Sequence, residues 1–172
     1  MDEYTNKEAI AARSGGRLRF FVQAAVIGAA YAALTTALAP LSYGPVQLRV
    51  SEALTVLPYF TPAAIPGLFV GCFVSNIISP YGIVDVVFGS LATLLAAGGS
   101  YLLRRRRILA PLPPVVCNAV IIGAMLYYAY GVNASLLANM LWVGAGEAIV
   151  CYGAGYPLLR VLESRRGIFG PR

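Results

Sequence analysis

Long apolar runs separated by short polar breaks dominate the sequence and predict membrane-spanning helices. Such runs lack the strict polar–apolar alternation of a barrel strand, and only helices or closed barrels can span lipid. The fold class predicted is therefore an all-α membrane protein. The runs cover residues 18–39, 52–61, 67–79, 83–103, 115–130 and 135–162.

Proline, glycine and arginine mark the ends of these runs. Pro40 ends the first run, Ser79–Gly82 and Gly131–Asn133 are predicted turns, and Arg104–Arg107 stop the fourth run. Proline and glycine are the strongest local punctuators of regular structure. The breaks therefore predict where the chain reverses direction.

The topology depends on residues 50–79, which Pro62 and Pro66 divide into two short runs or one kinked span. Positive loops lie on the cytoplasmic side, so the N-terminus and Arg104–Arg107 should share that side. This requires an even number of crossings before Arg104, which two short spans provide. We predict six transmembrane helices, with both termini cytoplasmic.

The predicted organisation is one membrane domain between two tails. Residues 1–17 form a cytoplasmic N-terminal tail, residues 18–162 the six-helix domain and residues 163–172 a basic cytoplasmic tail. The first 17 residues are polar and contain no apolar core with a small-residue cleavage pattern. Leu18 onward is therefore expected to be a retained helix and not a signal peptide.

The second run, residues 52–61, is too short to cross a hydrocarbon core that needs about 20 helical residues. The connection 40–51 should therefore form part of the crossing. Irregular backbone at that depth is tolerated only when it is buried in protein or lines a cavity. Pro40, Gly44 and Pro45 favour a folded, non-helical segment there.

Composition supports the membrane class and argues against nucleic acid as a partner. Hydrophobic residues make up 59% of the chain and charged residues 12%, and the net charge of +6 comes from clusters that flank apolar runs. That placement is typical of topology anchors, Arg104–Arg107 above all. Cys72, Cys117 and Cys151 stand alone and histidine is absent, so no metal or cofactor is expected.

A set of polar residues falls in the outer half of the predicted bundle and forms the candidate substrate site. Ionisable residues inside a membrane are costly and usually mark function. Asn139, Val143, Gly146 and Glu147 share one helix face, with Glu147 near mid-membrane. The candidates are Gln47, Arg49, Glu52, Asn76, Asp85, Asn139, Trp142 and Glu147.

Structural roles compete with binding at these positions. Arg49 and Glu52 are three residues apart and can neutralise one another. Asp85 can cap the start of its helix, whereas Glu147 has no cation near it in sequence. Trp142 can serve as an interfacial aromatic, and Asn76 and Asn139 can form interhelical hydrogen bonds.

A second candidate surface is the small-residue face of the first helix. Ala25, Ala29 and Ala33 recur every four residues, and such a face lets another helix approach closely. That helix can belong to this bundle or to a partner. The sequence contains no GxxxxGK[ST] nucleotide-binding loop, which favours an external source of energy for any transport.

Three segments carry a family resemblance: Tyr43–Pro58, Ala64–Asn76 and Asp85–Thr93, within a similarity that covers about residues 20–155. They resemble the QueT family of substrate-binding S components of energy-coupling factor (ECF) transporters, assigned to queuosine precursors, and so imply an S-component-like bundle. The resemblance implies a multi-pass protein of the cell membrane whose first loop covers an extracytoplasmic pocket. It also implies a transmembrane coupling subunit, which docks on an alanine face such as Ala25, Ala29 and Ala33, and two cytoplasmic ATPases.

The ligand implied is a 7-deazaguanine type base. Its adjacent N–H and NH2 donors suit a carboxylate from Glu52, Asp85 or Glu147, and its carbonyl suits a donor. The candidate donors are Gln47, Arg49 and Asn76, and Trp142 offers a stacking surface.

Two other transport functions remain open on sequence: an S component for another vitamin-class ligand, and a stand-alone gradient-driven permease. An enzyme is not expected. An enzyme would need a nucleophile–base pair, and the candidates are Ser51–Glu52 and Asp85–Glu147. Neither pair has a recognised motif around it.

Overall fold

The computed structural model describes residues 2–43 and 48–169, with side chains from Gly15 onward. Within these ranges the chain is helical and contains no strand, which confirms the all-α class. Shorter 3-10 helices cover Val50–Tyr59, Arg107–Leu109 and Arg166–Phe169, and a π-helical turn covers Cys151–Gly155. The α-helices are α1 Asp2–Ala37, α2 Ala39–Ser42, α3 Ala64–Ile77, α4 Gly82–Leu102, α5 Leu112–Tyr128, α6 Leu136–Val150 and α7 Tyr156–Ser164.

Several helices begin earlier than the sequence predicts, among them α1, α3 and α5. α1 begins at Asp2, so the helix extends through the segment predicted as an N-terminal tail. α5 begins at Leu112, before the expected start at residue 115. Pro113 and Pro114 lie in its first turn, where the missing N–H has no intrahelical partner to lose.

The 3-10 helix Val50–Tyr59 runs through the centre of the bundle. It contacts α1, α3, α4, α6 and α7, and most of its side chains are buried. Because a 3-10 helix rises about 2.0 Å per residue, ten residues span about 20 Å. Arg49 precedes it in extended conformation and is also buried. The prediction of a non-helical segment is wrong at Pro40, which lies in α2. Gly44 and Pro45 lie outside the described residues.

The last helical segment contains a π-helical turn between α6 and α7. Pro157 has no N–H, and its ring crowds the carbonyl four residues earlier. The turn Cys151–Gly155 ends two residues before this proline. Gly155 also brings the backbone against Ala53, since a Cβ at Gly155 would lie 3.2 Å from the Ala53 carbonyl oxygen.

α1 and α3 pack with their backbones in contact. A Cβ at Gly71 would lie 2.5 Å from the Gly28 carbonyl oxygen, and one at Gly67 would lie 2.6 Å from that of Ala24. The small residues that face α3 are therefore Ala24 and Gly28. The other small-residue row of α1, formed by Ala25, Ala29 and Ala33, is exposed.

Two ends of the bundle can be recognised from contacts between distant residues. At the first, which we call the basic end, Arg19 Nη2 donates to the Ile168 carbonyl oxygen at 2.9 Å, and Phe60 stacks on Phe169. The basic end comprises residues 59–62, 101–107 and 163–169. At the opposite end the hydroxyls of Tyr43, Tyr81 and Tyr130 donate to the carbonyls of Ser75, Tyr43 and Tyr81.

Four helical stretches in the described part of the chain are long and apolar enough to cross a membrane: Gly15–Ala37, Gly82–Leu102, Arg107–Tyr128 and Leu136–Ser164. Ala64–Ile77 is apolar but shorter. Large apolar side chains cover the outside of the bundle, among them Phe21, Leu95 and Ile149. An apolar exterior of this kind suits a lipid environment.

Candidate functional site

The interior of the bundle contains ionisable side chains, whereas the interior of a soluble protein is usually apolar. Arg49 is 4% exposed, Glu52 1%, Asp85 0% and Glu147 3%. Burying an ionisable group is costly unless the group is paired and hydrogen-bonded, and such groups inside a membrane usually mark a functional site. These four residues therefore define the centre of the candidate site.

The first part of the site, the ion-pair group, joins Arg49, Asn76 and Asp85. Nη2 of Arg49 lies 3.2 Å from both carboxylate oxygens of Asp85. Nη1 donates to Oδ1 of Asn76 at 3.3 Å, and Nδ2 of Asn76 donates to the Asp85 carbonyl oxygen at 3.0 Å. Three residues predicted from different segments thus form one hydrogen-bonded unit.

Gly89 makes room for this group on α4. A Cβ at residue 89 would lie 2.5 Å from Nδ2 of Asn76 and 3.1 Å from Oδ1 of Asp85. Any larger side chain there would push the Asn76 amide away from α4. The glycine therefore lets α3 present its amide between the carboxylate and the helix backbone.

The second part, the acid group, contains Tyr31, Glu52, Glu147 and Cys151. The Tyr31 hydroxyl donates to Oε1 of Glu52. Sγ of Cys151 lies 3.7 Å from Oε2 of Glu147 and 3.7 Å from the Glu52 carbonyl oxygen. The side chain of Asn118 lies beside both glutamates. Elements far apart in sequence thus bring two carboxyl groups close together in the interior.

Two buried polar atoms of the site make no well-formed hydrogen bond within the described part of the chain. They are Oε2 of Glu52 and Nε of Arg49. A buried polar atom left unpaired costs about 1–3 kcal/mol, and more when it is charged. A polar ligand that bonds to these two atoms would remove that cost.

The site contains more acidic side chains than basic ones. Its buried ionisable side chains comprise three carboxyl groups and one guanidinium, and Asp85 already pairs with that guanidinium. Glu52 and Glu147 thus lack a cation of their own among the described buried residues. Carboxylates left in this way attract hydrogen-bond donors or positive charge.

The other predicted site residues are Gln47, Asn139 and Trp142. Gln47 is outside the described residues. Asn139 is buried, but its Nδ2 donates at 3.4 Å to the Ala134 carbonyl oxygen in the preceding loop. Trp142 is 61% exposed on the outside of α6, where an interfacial aromatic would lie. The structure does not bring Trp142 to the buried groups.

The structure also decides between roles that the sequence left open. The ion pair of Arg49 is made with Asp85, while Glu52 accepts from Tyr31, so the local pairing of Arg49 with Glu52 is wrong. Asp85 does not cap α4, because the N-cap position is Tyr81. Three members of the site were missed as isolated polar residues in apolar runs: Tyr31, Asn118 and Cys151. Among the described residues, no group of three or more His, Cys, Asp or Glu could hold a metal ion.

An apolar exterior around a buried, charged interior defines a multi-pass membrane protein with an internal polar site. Comparison with known families then gives the particular class. The family model described as QueT transporter matches residues 21–164, and the chain belongs to that family.

A relative from Lactococcus lactis subsp. cremoris (strain MG1363), called queuosine precursor transporter QueT, is 41% identical over 76 residues. The match covers 43% of this chain and 44% of the relative, so it spans less than half of that protein. No solved structure matches this chain.

Proposed function

We propose that this protein is the substrate-binding S component of an ECF-type importer, which captures a queuosine precursor of the 7-deazaguanine type from outside the cell. Membership of the QueT transporter family and the name of the bacterial relative support the substrate class. The observation that carries the proposal is the buried group of three carboxyls and one guanidinium inside a membrane bundle.

The proposed topology has six crossings with both termini in the cytoplasm. The basic end gathers Arg19 near the start of the membrane part of α1, the arginines after α4 and the region after α7. Because positive loops lie inside, this end is the cytoplasmic one. The ion-pair group then lies toward the outside, since Asn76 is near the end of α3 and Asp85 is in the first turn of α4.

The chemistry of the interior suits a guanine-like edge. Adjacent N–H and NH2 groups of such a base form two parallel hydrogen bonds with one carboxylate. Glu52 offers the unpaired Oε2, and Glu147 lies nearby. The unpaired Nε of Arg49 offers a donor to the ring carbonyl. A cationic substituent on the base would pair with one of the carboxyl groups that lack a cation.

Access to the interior requires a change in packing. Arg49, Asn76, Asp85, Glu52 and Glu147 are each at most 4% exposed. Arg49 and Asp85 lie closest to the outer end and link the segment before the central 3-10 helix to α4. In our proposal, opening of this ion pair admits the ligand, and the ligand's donors and acceptor then replace the contacts that are lost.

The exposed alanine row supports a partner helix. Gly28 and Ala24 already serve the internal contact with α3, whereas Ala25, Ala29 and Ala33 point away from the bundle. We propose that the transmembrane coupling subunit docks there, because small residues allow close helix approach in lipid. The partner complex would include two ATPases, which supply the energy for transport.

A binding screen on the purified protein tests the substrate class. Calorimetric titration with 7-deazaguanine precursors should give saturable binding, and riboflavin, thiamine and biotin should give none. Binding of a vitamin in place of the deazapurines would assign a different substrate class to the protein but would not contradict the S-component role.

Transport assays test the partnership separately. Co-purification with a coupling subunit and ATPases, together with uptake that requires ATP, is the expected result. Uptake by the lone protein in liposomes under an ion gradient would show a stand-alone permease.

A further inference from the structure

The basic end contains a cleft of about 900 Å³ that the proposed transport function does not use. Its walls come from the loop after the central 3-10 helix, the end of α4 with the following loop, and the region after α7. Its charged lining consists of Arg104, Arg105, Arg107, Glu163 and Arg166. The cleft therefore carries four guanidinium groups against one carboxylate.

That carboxylate cannot neutralise the cleft. Oε2 of Glu163 lies 3.1 Å from Nη1 of Arg107, and Oε1 lies 3.8 Å from Nη2 of Arg166. Arg104 and Arg105 have no carboxylate partner among the described side chains. The two paired arginines also remain accessible, with 52% and 42% of their side chains exposed. The cleft therefore attracts an anion.

Aromatic rings hold two of the guanidinium groups in place. The guanidinium of Arg104 lies 3.8 Å from the centre of the Tyr101 ring, and that of Arg166 lies 5.3 Å from the centre of the Tyr59 ring. Stacking occupies the face of a guanidinium and leaves its in-plane N–H groups free. Such a planar fork matches the oxygens of a phosphate.

The C-terminal wall of the cleft is fixed from both sides. The Phe60 and Phe169 rings stack with centres 4.9 Å apart, and Arg19 donates to the Ile168 carbonyl oxygen. A topology anchor needs positive charge only. It does not need stacked arginines from two separate segments to converge on one cleft. The arrangement therefore points to a bound group.

Three exposed apolar side chains are next in sequence to residues that line the cleft. Leu102 is 78% exposed, Ile108 66% and Ile168 61%. An anion with a hydrocarbon tail would place its charged part among the arginines and its tail along these residues. Basic pockets between helices at the cytoplasmic side of membranes bind anionic headgroups.

We propose that this cleft binds the phosphodiester headgroup of an anionic phospholipid in the inner leaflet. The stacked arginines 104 and 166 contact the phosphate oxygens, and Arg105 adds long-range attraction. The bound lipid would tie the loop after α4 to the end of α7. This site lies at the other end of the bundle from the ion-pair group and does not depend on the nature of the transported substrate.

The test is a titration of the full chain in neutral detergent with fluorescent phosphatidylglycerol, with phosphatidylcholine as the zwitterionic comparison. Arg104→Gln and Arg166→Gln should each weaken phosphatidylglycerol binding about fivefold, the effect of one arginine near an anionic surface. Arg106→Gln is the matched control, because Arg106 lies in the same loop but does not line the cleft. An equal loss of phosphatidylglycerol binding in all three variants would show that binding depends on the net charge of this end and not on the cleft. That result would overturn the proposal.

Two further arms complete the test. Arg166→Lys keeps the charge but loses the planar fork, so a headgroup held by the fork should bind it more weakly than it binds wild type. Glycerol phosphate at millimolar concentration should not displace the lipid. Suppose that glycerol phosphate fully displaces the lipid, and that the Arg104→Gln and Arg166→Gln variants bind glycerol phosphate as weakly as they bind the lipid. This result would show a site for soluble phosphate compounds and contradict the lipid assignment. Unchanged thermal unfolding of each variant confirms that its fold is intact.

Discussion

Arg49 and Asp85, 36 residues apart in sequence, form a buried ion pair in which Nη2 lies 3.2 Å from both carboxylate oxygens. The pair joins the segment that enters the central 3-10 helix to the first turn of α4. Asn76 on α3 bonds to both partners. Three parts of the chain are therefore coupled at the end of the bundle where we place substrate entry.

Removing one partner of this pair should destabilise the fold strongly. Arg49→Met leaves the Asp85 carboxylate buried and uncompensated, which typically costs about 3–5 kcal/mol. The double variant Arg49→Met/Asp85→Leu should recover part of that loss. Reversible unfolding in mixed micelles measures the free energies of unfolding.

The control for the Arg49 and Asp85 variants is the exposed ion pair between Arg107 and Glu163. Arg107→Gln should change the free energy of unfolding by less than about 1 kcal/mol, because exposed pairs contribute little. Single variants of Arg49 and Asp85 as stable as this control would show that the buried pair does not hold the segments together.

The glycine contact between α1 and α3 should tolerate no side chain. Gly71→Ala places a Cβ 2.5 Å from the Gly28 carbonyl oxygen, and overpacking of this kind costs about 1–3 kcal/mol. Gly98→Ala is the matched control, since nothing lies within 4 Å of its Cβ and Gly98 is inside α4. It should be neutral or stabilising by about 0.5–1 kcal/mol. Equal unfolding midpoints for the two variants would disagree with the close helix contact.

The exposed alanine row should control partner association without affecting ligand binding. Ala29→Leu adds bulk where we place the coupling subunit, so association should weaken at least about fivefold, or about 1 kcal/mol. Ala145→Leu makes the same change at an exposed position of α6 and should leave association unchanged. Pull-down of the coupling subunit, with substrate titration in parallel, measures both effects. A substrate affinity that falls together with association would indicate misfolding in place of a lost interface.

Much of the helical framework follows from the sequence because proline, glycine and arginine mark the ends of the apolar runs. Gly82 and Gly131 adopt φ values of 70° and 59° at the turns where glycine was the signal. The long 3-10 helix and the π-helical turn were not predicted, because their geometry depends on packing around Ala53 and Gly155. Local propensity carries no information about such contacts.

The charged members of the candidate site were recognisable for a similar reason. A charge inside an apolar run is conspicuous, so Arg49, Glu52, Asp85 and Glu147 were identified. Their partners were not, because the pairing of Arg49 with Asp85 depends on how α3 and α4 fold back across 36 residues. Tyr31 was missed because one tyrosine in an apolar run resembles an ordinary core residue, although its hydroxyl bonds to Glu52.

The most direct test of the account is calorimetric titration of a 7-deazaguanine precursor into wild-type protein and the Glu52→Gln and Glu147→Gln variants. Each variant replaces a carboxylate with a neutral amide of the same size. Binding should weaken about tenfold to a hundredfold, the loss expected when a hydrogen bond to a charged group worth about 1.5–3 kcal/mol is removed. Glu163→Gln, at the basic end, should bind as wild type. Unchanged affinity in both Glu52→Gln and Glu147→Gln would remove these residues from the site and contradict the account.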